Sequence, residues 1–454
     1  MYDVIIIGGG PGGYLAAERL AQRKKQVLLI EKQYLGGTCL NVGCIPTKTL
    51  LNSAKHYLHA QEAPQFGVHA DNIRFDMGEM AAWKKKTVET LCSGVASLMK
   101  RLKVDVVMGT GELIAARKVK IAETGEVHEA KAVIIAAGSV PAMPPIPGTK
   151  DNKKLLDSTA LLELTKVPEN LCVIGGGVIG IEFASLFGTL GSKVTVIEMM
   201  DEIIPPMDKE LAPLLRKHLK NTEFRLGCRV EKLDGGTVFY KTKEGKDESV
   251  KADIVLMAVG RKCQTENWNG KAAGIDITPK GVAVDERMRT NVSGVWAIGD
   301  VNGKSMLAHS AYRMAEVAVN DICSVLDGTP NRDRMRYDAV PWVVYSIPEA
   351  SGCGITEQEA RAKNIGVKTA TVPMIVSGRF VAENGVKAAG TVKVIADEKN
   401  GRILGVHILG SYASEMIWGA SALIENEMRV EDVKQLIFPH PTVCEAIREA
   451  VWAL

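Results

Sequence analysis

Short, mainly apolar runs recur along the first two-thirds of the chain: Val4–Ile7, Val27–Ile30, Val133–Ile135, Cys172–Ile174, Val194–Ile197 and Val255–Met257. Runs this short, bounded by glycine or an acid and separated by helical patterns, read as strands buried on both faces of parallel sheets. After Tyr337 the pattern changes. Thr391–Ala396 and Ile403–Leu409 read as antiparallel strands flanked by helices, an α+β arrangement. The proline-rich segment Val140–Gly148 reads as a crossing between domains.

Two of these segments repeat each other. Gly8-Gly-Gly10-Pro-Gly-Gly13 follows the first run and Gly175-Gly-Gly177-Val-Ile-Gly180 follows Cys172–Ile174, an offset of 167 residues (Gly8 to Gly175). In each copy a second apolar strand ends in an acid, Glu31 or Glu198, 18 residues past the third glycine (13 to 31, 180 to 198). The first glycine allows the tight turn, the second lets backbone approach a pyrophosphate, and the third lets the helix pack on the strand. The helix N-terminus offers unpaired N–H groups to the phosphates, and the acid can bond a ribose. Two dinucleotide sites are therefore expected. Glu198 favours NAD over NADP, because a 2′-phosphate there would meet a carboxylate. Val133–Gly138 and Val255–Gly260 are strand patterns that close the two domains, and Thr290–Asp300 is a further strand whose Asp300 suits a polyol.

The fold expected is α/β, with two Rossmann-like dinucleotide-binding domains plus a C-terminal α+β domain. The first domain spans 1–146 and is interrupted by the second over 147–268. It is completed by 269–336, and the third domain occupies 337–454.

Composition narrows the function. Apolar residues make up 46% and charged residues 24%, the mix of a soluble globular protein. A formal charge of +3 with no basic stripe argues against nucleic acid, and no run approaches the roughly 20 apolar residues of a membrane span. The first strand starts almost at Met1 with no charged leader, so no signal peptide is read there. The nine cysteines lack zinc-ligand spacing, and no metal site is expected. A reducing compartment fits, with the cytoplasm the best choice.

Gly36-Gly37-Thr38-Cys39-Leu-Asn-Val-Gly43-Cys44-Ile-Pro46-Thr-Lys48 holds two cysteines five residues apart. A disulfide needs Cα atoms within about 7 Å. An extended segment would separate them by roughly 16 Å and an ideal helix by roughly 8–9 Å. Pairing thus requires a distorted first helical turn, which Gly43 eases, and a helix N-terminus would lower a thiol pKa. Taken alone, the spacing also suits two buried, unpaired thiols.

This segment resembles the redox-active motif of the pyridine nucleotide–disulfide oxidoreductases, in the form found in the dihydrolipoamide dehydrogenase family. The resemblance spans essentially the whole chain, including TNVSGVWAIGD at Thr290–Asp300 and the HPTxxE-like His440-Pro441-Thr442-Val443-Cys444-Glu445. It implies FAD in the first domain, NAD in the second and a C-terminal dimerisation domain. It further implies that Cys39 exchanges with substrate and Cys44 faces the flavin. Lys48 would lie near the flavin ring, paired with Glu182, and His440 would be the base oriented by Glu445 from the partner subunit of a homodimer.

FAD contacts are expected at Gly8, Gly10, Gly13, Glu31, Thr38, Lys48, Gly111, Gly138, Ser139, Asp300 and Ala308. NAD contacts are expected at Gly175, Gly177, Gly180, Glu182, Glu198, Val230 and Gly260. The activity implied is oxidation of protein-bound dihydrolipoamide to lipoamide with reduction of NAD. The arm would be carried by another protein, a lipoyl-bearing carrier of a 2-oxoacid dehydrogenase complex or of the glycine-cleavage system. A glutathione-type flavin disulfide reductase and a redox-inactive NAD-binding flavoprotein sensor are the alternatives. Two departures stand out. Cys444 replaces a usual serine and reads as a small spare side chain, and Glu349–Gly354 is less apolar than the family pattern.

Overall fold

The computed structural model describes residues 1–454 and divides them into two compact units. The first unit comprises Met1–Thr49, Ala82–Ala142 and Arg261–Arg336, and the second comprises Leu50–Ala81, Met143–Gly260 and Tyr337–Leu454.

In the first unit, β1 (Tyr2–Ile7) lies between β2 (Val27–Glu31) and the strand Val127–Ile135, parallel to both. Asp105–Met108 extends the sheet beyond β2, and Val295–Ala297 adds in parallel to Val127–Ile135. Val4, Ile5, Ile6, Leu28 and Leu29 have no exposure, so these strands are buried on both faces, as their unbroken apolar runs require. Between β1 and β2 runs α1 (Pro11–Gln22), which buries Leu15, Ala16, Ala17 and Leu20. Pro11 stands at the start of α1, where its missing N–H costs no helical bond.

The second unit repeats this plan. The strands Thr222–Arg225, Lys193–Ile197, Asn170–Ile174, Ile254–Met257 and Leu155–Leu156 form a parallel sheet in that order. The helix Val178–Thr189 follows the glycine turn and buries Phe183 and Phe187. The C-terminal part of this unit is a five-stranded antiparallel sheet, ordered Trp342–Val344, Ala350–Gly354, Ile403–Leu409, Thr391–Asp397 and Val367–Pro373. The helices Ala413–Glu425 and Glu445–Trp452 join its core through Met416, Ile417, Ile447 and Val451.

The unusual Glu349–Gly354 stretch has a packing reason. A Cβ on Gly352 would stand 2.5 Å from the Trp342 ring and 2.6 Å from Nδ1 of His407. Glycine there makes room for those two rings, whose centroids lie 6.2 Å apart.

Beside His407 on the neighbouring strand, Lys393 is 1% exposed and carries its ammonium into three carboxylates. Nζ lies 2.6 Å from Glu357, 3.0 Å from Glu210 and 3.1 Å from Asp208. The cluster ties the 208–210 segment of the nucleotide-binding part to the C-terminal sheet. Lys393 and then Arg361 hold the Glu357 carboxyl below its ordinary range. For Asp208 burial acts the other way, and is outweighed by the N–H groups of Glu210 and Glu357 and by Lys393.

Removing the cation strands buried negative charge, so Lys393→Met is expected to destabilise the second unit by about 3–5 kcal/mol at neutral pH. Because the carboxyl pKa values are depressed, the wild-type advantage is full at neutral pH and fades as pH falls below about 4.5, the ordinary glutamate value. Thermal unfolding of both proteins across pH measures this, and equal midpoints at neutral pH would refute it.

Candidate active site

The two glycine cradles have the same geometry. Gly8 has φ +108° and Gly175 φ +107°, a conformation that favours glycine. A Cβ on either would strike the carbonyl oxygen of the adjoining strand end, 2.2 Å away at Ala136 and 2.5 Å away at Ala258. The third glycines, Gly13 and Gly180, pack just as closely: a Cβ there would stand 1.8 Å and 2.1 Å from the carbonyl oxygens of Gly8 and Gly175. The N-caps are Gly10 for α1 and Gly177 for the helix Val178–Thr189, and neither has a side-chain cap. The first-turn N–H groups are therefore offered to an anion.

Each acid is held by the cradle it serves. Glu31 accepts the N–H of Gly9 at 2.6 Å and of Gln33 at 2.7 Å. Glu198 accepts the N–H of Gly176 at 2.5 Å and of Met200 at 2.7 Å. Both carboxylates are thus fixed at the strand ends, where a ribose would lie. No arginine contact to Glu198 accompanies these bonds, and the site keeps the negative character that suits an unphosphorylated ribose.

A cavity of about 510 Å³ next to Glu31 is lined by Lys32, Gln33, Thr110, Glu112 and Asn267. Gly111 lies between two of these residues, at the start of the strand Gly111–Ala115. Farther along the first unit, Asp300 accepts from the Ser139 hydroxyl at 2.5 Å, and Arg261 donates to Ser139 Oγ at 2.7 Å and to its carbonyl at 2.8 Å. Burial pushes the Asp300 carboxyl up, against the pull of Ser139 and Arg261. Gly138, φ +74°, immediately precedes this group, and Ala308 opens the helix Ala308–Asp327. These residues fit a dinucleotide with a polyol in the first unit and a further dinucleotide in the second.

The cysteine segment differs from the expected distorted first turn. It forms two helices, α2 (Gly37–Val42) and α3 (Cys44–Glu62), with the break at Gly43 (φ −145°, ψ −107°). Thr38 and Cys39 lie on α2, while Cys44 opens α3 and Lys48 follows one turn on. Ending one helix and starting another shortens the path between the sulfurs, which no single helix does at this spacing. A Cβ at position 43 would stand 2.9 Å from the Thr38 carbonyl oxygen.

No disulfide joins Cys39 and Cys44; their side chains are in hydrogen-bond contact with each other. The Cys39 thiol is raised, not lowered as a helix terminus alone would suggest. The Cys44 thiol beside it is the main cause, burial adds, and the Lys48 ammonium opposes. α2 is seated directly on the first cradle, since a Cβ on Gly37 would lie 2.5 Å from Cα of Gly10.

In the second unit, His440 Nδ1 lies 2.8 Å from Glu445 Oε1, while Glu445 Oε2 accepts the Thr442 N–H at 2.9 Å. His440 and then the Thr442 N–H hold the Glu445 carboxyl below its usual range. The His440 side chain is 77% exposed. Cys444 packs against the C-terminal core and has its thiol raised by burial. Glu182 is buried in the helix Val178–Thr189 and accepts the Tyr345 N–H at 3.0 Å. Val230 lies on the strand Arg229–Asp234, and Gly260 (φ +112°) follows the strand Ile254–Met257.

Sequence reasoning missed Arg261 and the 110–112 cavity wall apart from Gly111. Arg261 directly follows Gly260, so its place at a strand end was a usable signal. Nor did it foresee that the hydroxyls of Tyr14 and Tyr312 meet at 2.5 Å, since the two lie far apart in the chain.

The family profile described as pyridine nucleotide-disulphide oxidoreductase matches residues 2–315, and its dimerisation domain matches 340–451. Dihydrolipoyl dehydrogenase of Bacillus subtilis (strain 168) is 36% identical over 99% of this chain and 95% of its own length. That of Thermus scotoductus is 38% identical over 100% and 97%, and the mitochondrial protein of Pisum sativum 38% over 99% and 91%. Among solved structures, the Cu(II) complex of the HOCl-induced flavoprotein disulfide reductase RclA from Escherichia coli has a TM-score of 0.88 at 28% identity, covering 100% of this chain and 99% of that one. LpdA from Mycobacterium tuberculosis has a TM-score of 0.88 at 25% identity, with the same coverage. No helix is long and apolar enough to cross a membrane. With paired nucleotide cradles, two touching thiols, two matching family profiles and full-length relatives, the chain belongs to the pyridine nucleotide-disulphide oxidoreductases, as an enzyme that uses FAD and NAD.

Proposed function

We propose that this chain is a dihydrolipoyl dehydrogenase, oxidising a protein-bound dihydrolipoyl dithiol to the cyclic disulfide while NAD is reduced. The observation that carries the reading is the pair of touching sulfurs, Cys39 and Cys44, on a helix break seated against the first cradle. The relatives' names point the same way.

Thiolate attack is the elementary step, so a substrate thiol must first lose its proton. His440 accepts that proton at Nε2, while Glu445 holds Nδ1 and stabilises the imidazolium. The substrate thiolate attacks Cys39 of the oxidised pair, and the Cys39–Cys44 bond breaks with Cys44 leaving as thiolate. The second substrate thiol then closes the ring on the first sulfur and releases Cys39. When bound, FAD supplies a two-electron acceptor beside the sulfurs and NAD the final hydride acceptor. Lys48 sets the local charge for the thiolate at Cys44, and Asp300, Ser139 and Glu31 anchor the first dinucleotide.

His440 is exposed in the single chain, as are Trp418 at 77% and Ile437 at 97%. A homodimer in which His440 and Glu445 serve the partner subunit's sulfurs accounts for both facts. The substrate arm belongs to a lipoyl-bearing carrier of a 2-oxoacid dehydrogenase complex or of the glycine-cleavage system, met in the cytoplasm.

Cys39→Ser and Cys44→Ser should each abolish dihydrolipoamide-driven NAD reduction while retaining flavin; wild-type turnover in either would sink the disulfide route. His440→Gln should lower kcat by at least about 100-fold with flavin content unchanged. Faster turnover with glutathione than with lipoamide would reassign the substrate. Gly175→Ala should leave the flavin bound but raise the KM for NAD at least about tenfold, read by steady-state kinetics with the dithiol saturating, because a side chain there displaces the cradle.

A further inference from the structure

The two cradles share one further bond, made by unlike residues. In the first, the carbonyl of Gly9 accepts the N–H of Gly36 at 2.9 Å. In the second, the carbonyl of Gly176, the counterpart of Gly9, accepts the N–H of Ile204 at 3.0 Å. Both donors have positive φ, +95° at Gly36 and +49° at Ile204. Glycine takes that conformation without steric cost. A β-branched residue does not, and Ile204 is the one β-branched residue among the non-glycine positions of positive φ.

The bond bears on the nucleotide through the peptide that it anchors. The Gly176–Gly177 peptide is trans, so its carbonyl and the N–H of Gly177 point in opposite directions. Holding the carbonyl on Ile204 therefore sets the direction of the Gly177 N–H, at the helix cap where a Cβ would meet nothing within 4 Å. The N–H of Gly176 goes to Glu198 at 2.5 Å, so the same glycine also fixes the carboxylate expected at the ribose.

A strained residue keeps its conformation only where its surroundings over-determine it. Ile204 is fully buried in one core cluster with Ile181, Met207 and Leu211, and its carbonyl accepts the Met207 N–H at 2.8 Å. The C-terminal part of the unit then clamps the chain. The Met207 carbonyl accepts from Gln358 Nε2 at 3.1 Å. Asp208, four residues past Ile204, accepts the Glu357 N–H at 3.1 Å on one oxygen and Lys393 Nζ at 3.1 Å on the other.

We propose that the Lys393–Asp208 ion pair, acting through Ile204, holds the Gly176–Gly177 peptide of the second cradle in its nucleotide-binding orientation. Lys393, Asp208 and Ile204 are then positioning residues for NAD. The first cradle needs no such brace, because its donor is a glycine.

The inference rests on the second cradle as the NAD site, and the experiment separates the two. NAD is titrated calorimetrically into the oxidised holoenzyme, with flavin content measured alongside. In Lys393→Met the Kd is expected to rise at least about fivefold with flavin retained. Asp208→Asn, which keeps the shape of the side chain, should give a similar rise and decides the matter if Lys393→Met fails to fold. As a control, Ile417→Ala removes a buried side chain from the separate C-terminal core cluster. It should lower the unfolding temperature while leaving the Kd within about twofold of wild type. Wild-type affinity in either charge variant, or an equal rise in Ile417→Ala, overturns the brace. Wild-type affinity in Gly175→Ala overturns the assignment of the cradle instead.

Discussion

Backbone meets backbone where Gly37 lies on Gly10, and the site in the first unit is organised by that contact. A side chain at position 37 would stand 2.5 Å from Cα of Gly10, so the helix carrying Cys39 approaches the dinucleotide cradle only because a β-carbon is missing. The break at Gly43 then turns the chain so that Cys44 begins a new helix with its sulfur against that of Cys39. On the proposed reading this close packing serves the chemistry, since the electron pair would pass from sulfur to a ring held by the same cradle.

The two cradles show how one local solution serves two ligands. Gly8 and Gly175, Gly13 and Gly180, and Glu31 and Glu198 repeat each other in backbone conformation and in hydrogen bonding. What differs lies around them. The first cradle adds α2 with its thiol and the Ser139–Arg261–Asp300 group. The second adds a three-stranded antiparallel sheet over Arg229–Lys251 and the Lys393 cluster that joins it to the C-terminal sheet. Duplication repeats the cradle, and the surroundings distinguish its two copies.

Electrostatics around the sulfurs follows from the same crowding. Two thiols in contact cannot both ionise cheaply, so the first thiolate raises the second. Lys48 offsets this with charge. His440 is exposed on the second unit and oriented by a carboxylate that has its own backbone donor in Thr442. On the proposed reading, an exposed base whose orientation is already fixed suits a site completed by another subunit.

How much of this was legible in sequence depends on the range of the interaction. The cradles were legible because turn, helix start, strand and acid lie within about two dozen residues, and sterics leave few residue types that satisfy them. The His440–Glu445 contact was legible through the resemblance of its motif, and the α/β class with its antiparallel C-terminal sheet through the pattern of apolar runs. The form of the Cys39–Cys44 segment was only half legible: spacing demanded a distortion but did not distinguish a bent turn from a break between helices. Arg261 beside Ser139 and Asp300, Gly352 making room for Trp342 and His407, and the meeting of Tyr14 with Tyr312 were decided by tertiary structure alone. Each depends on which elements pack together across a hundred or more residues, or on which side of a strand lacks a side chain. The sequence by itself determined the local backbone shapes; packing decided which polar groups those shapes bring within bonding distance, because contact between distant segments depends on the whole core and not on any one stretch of chain.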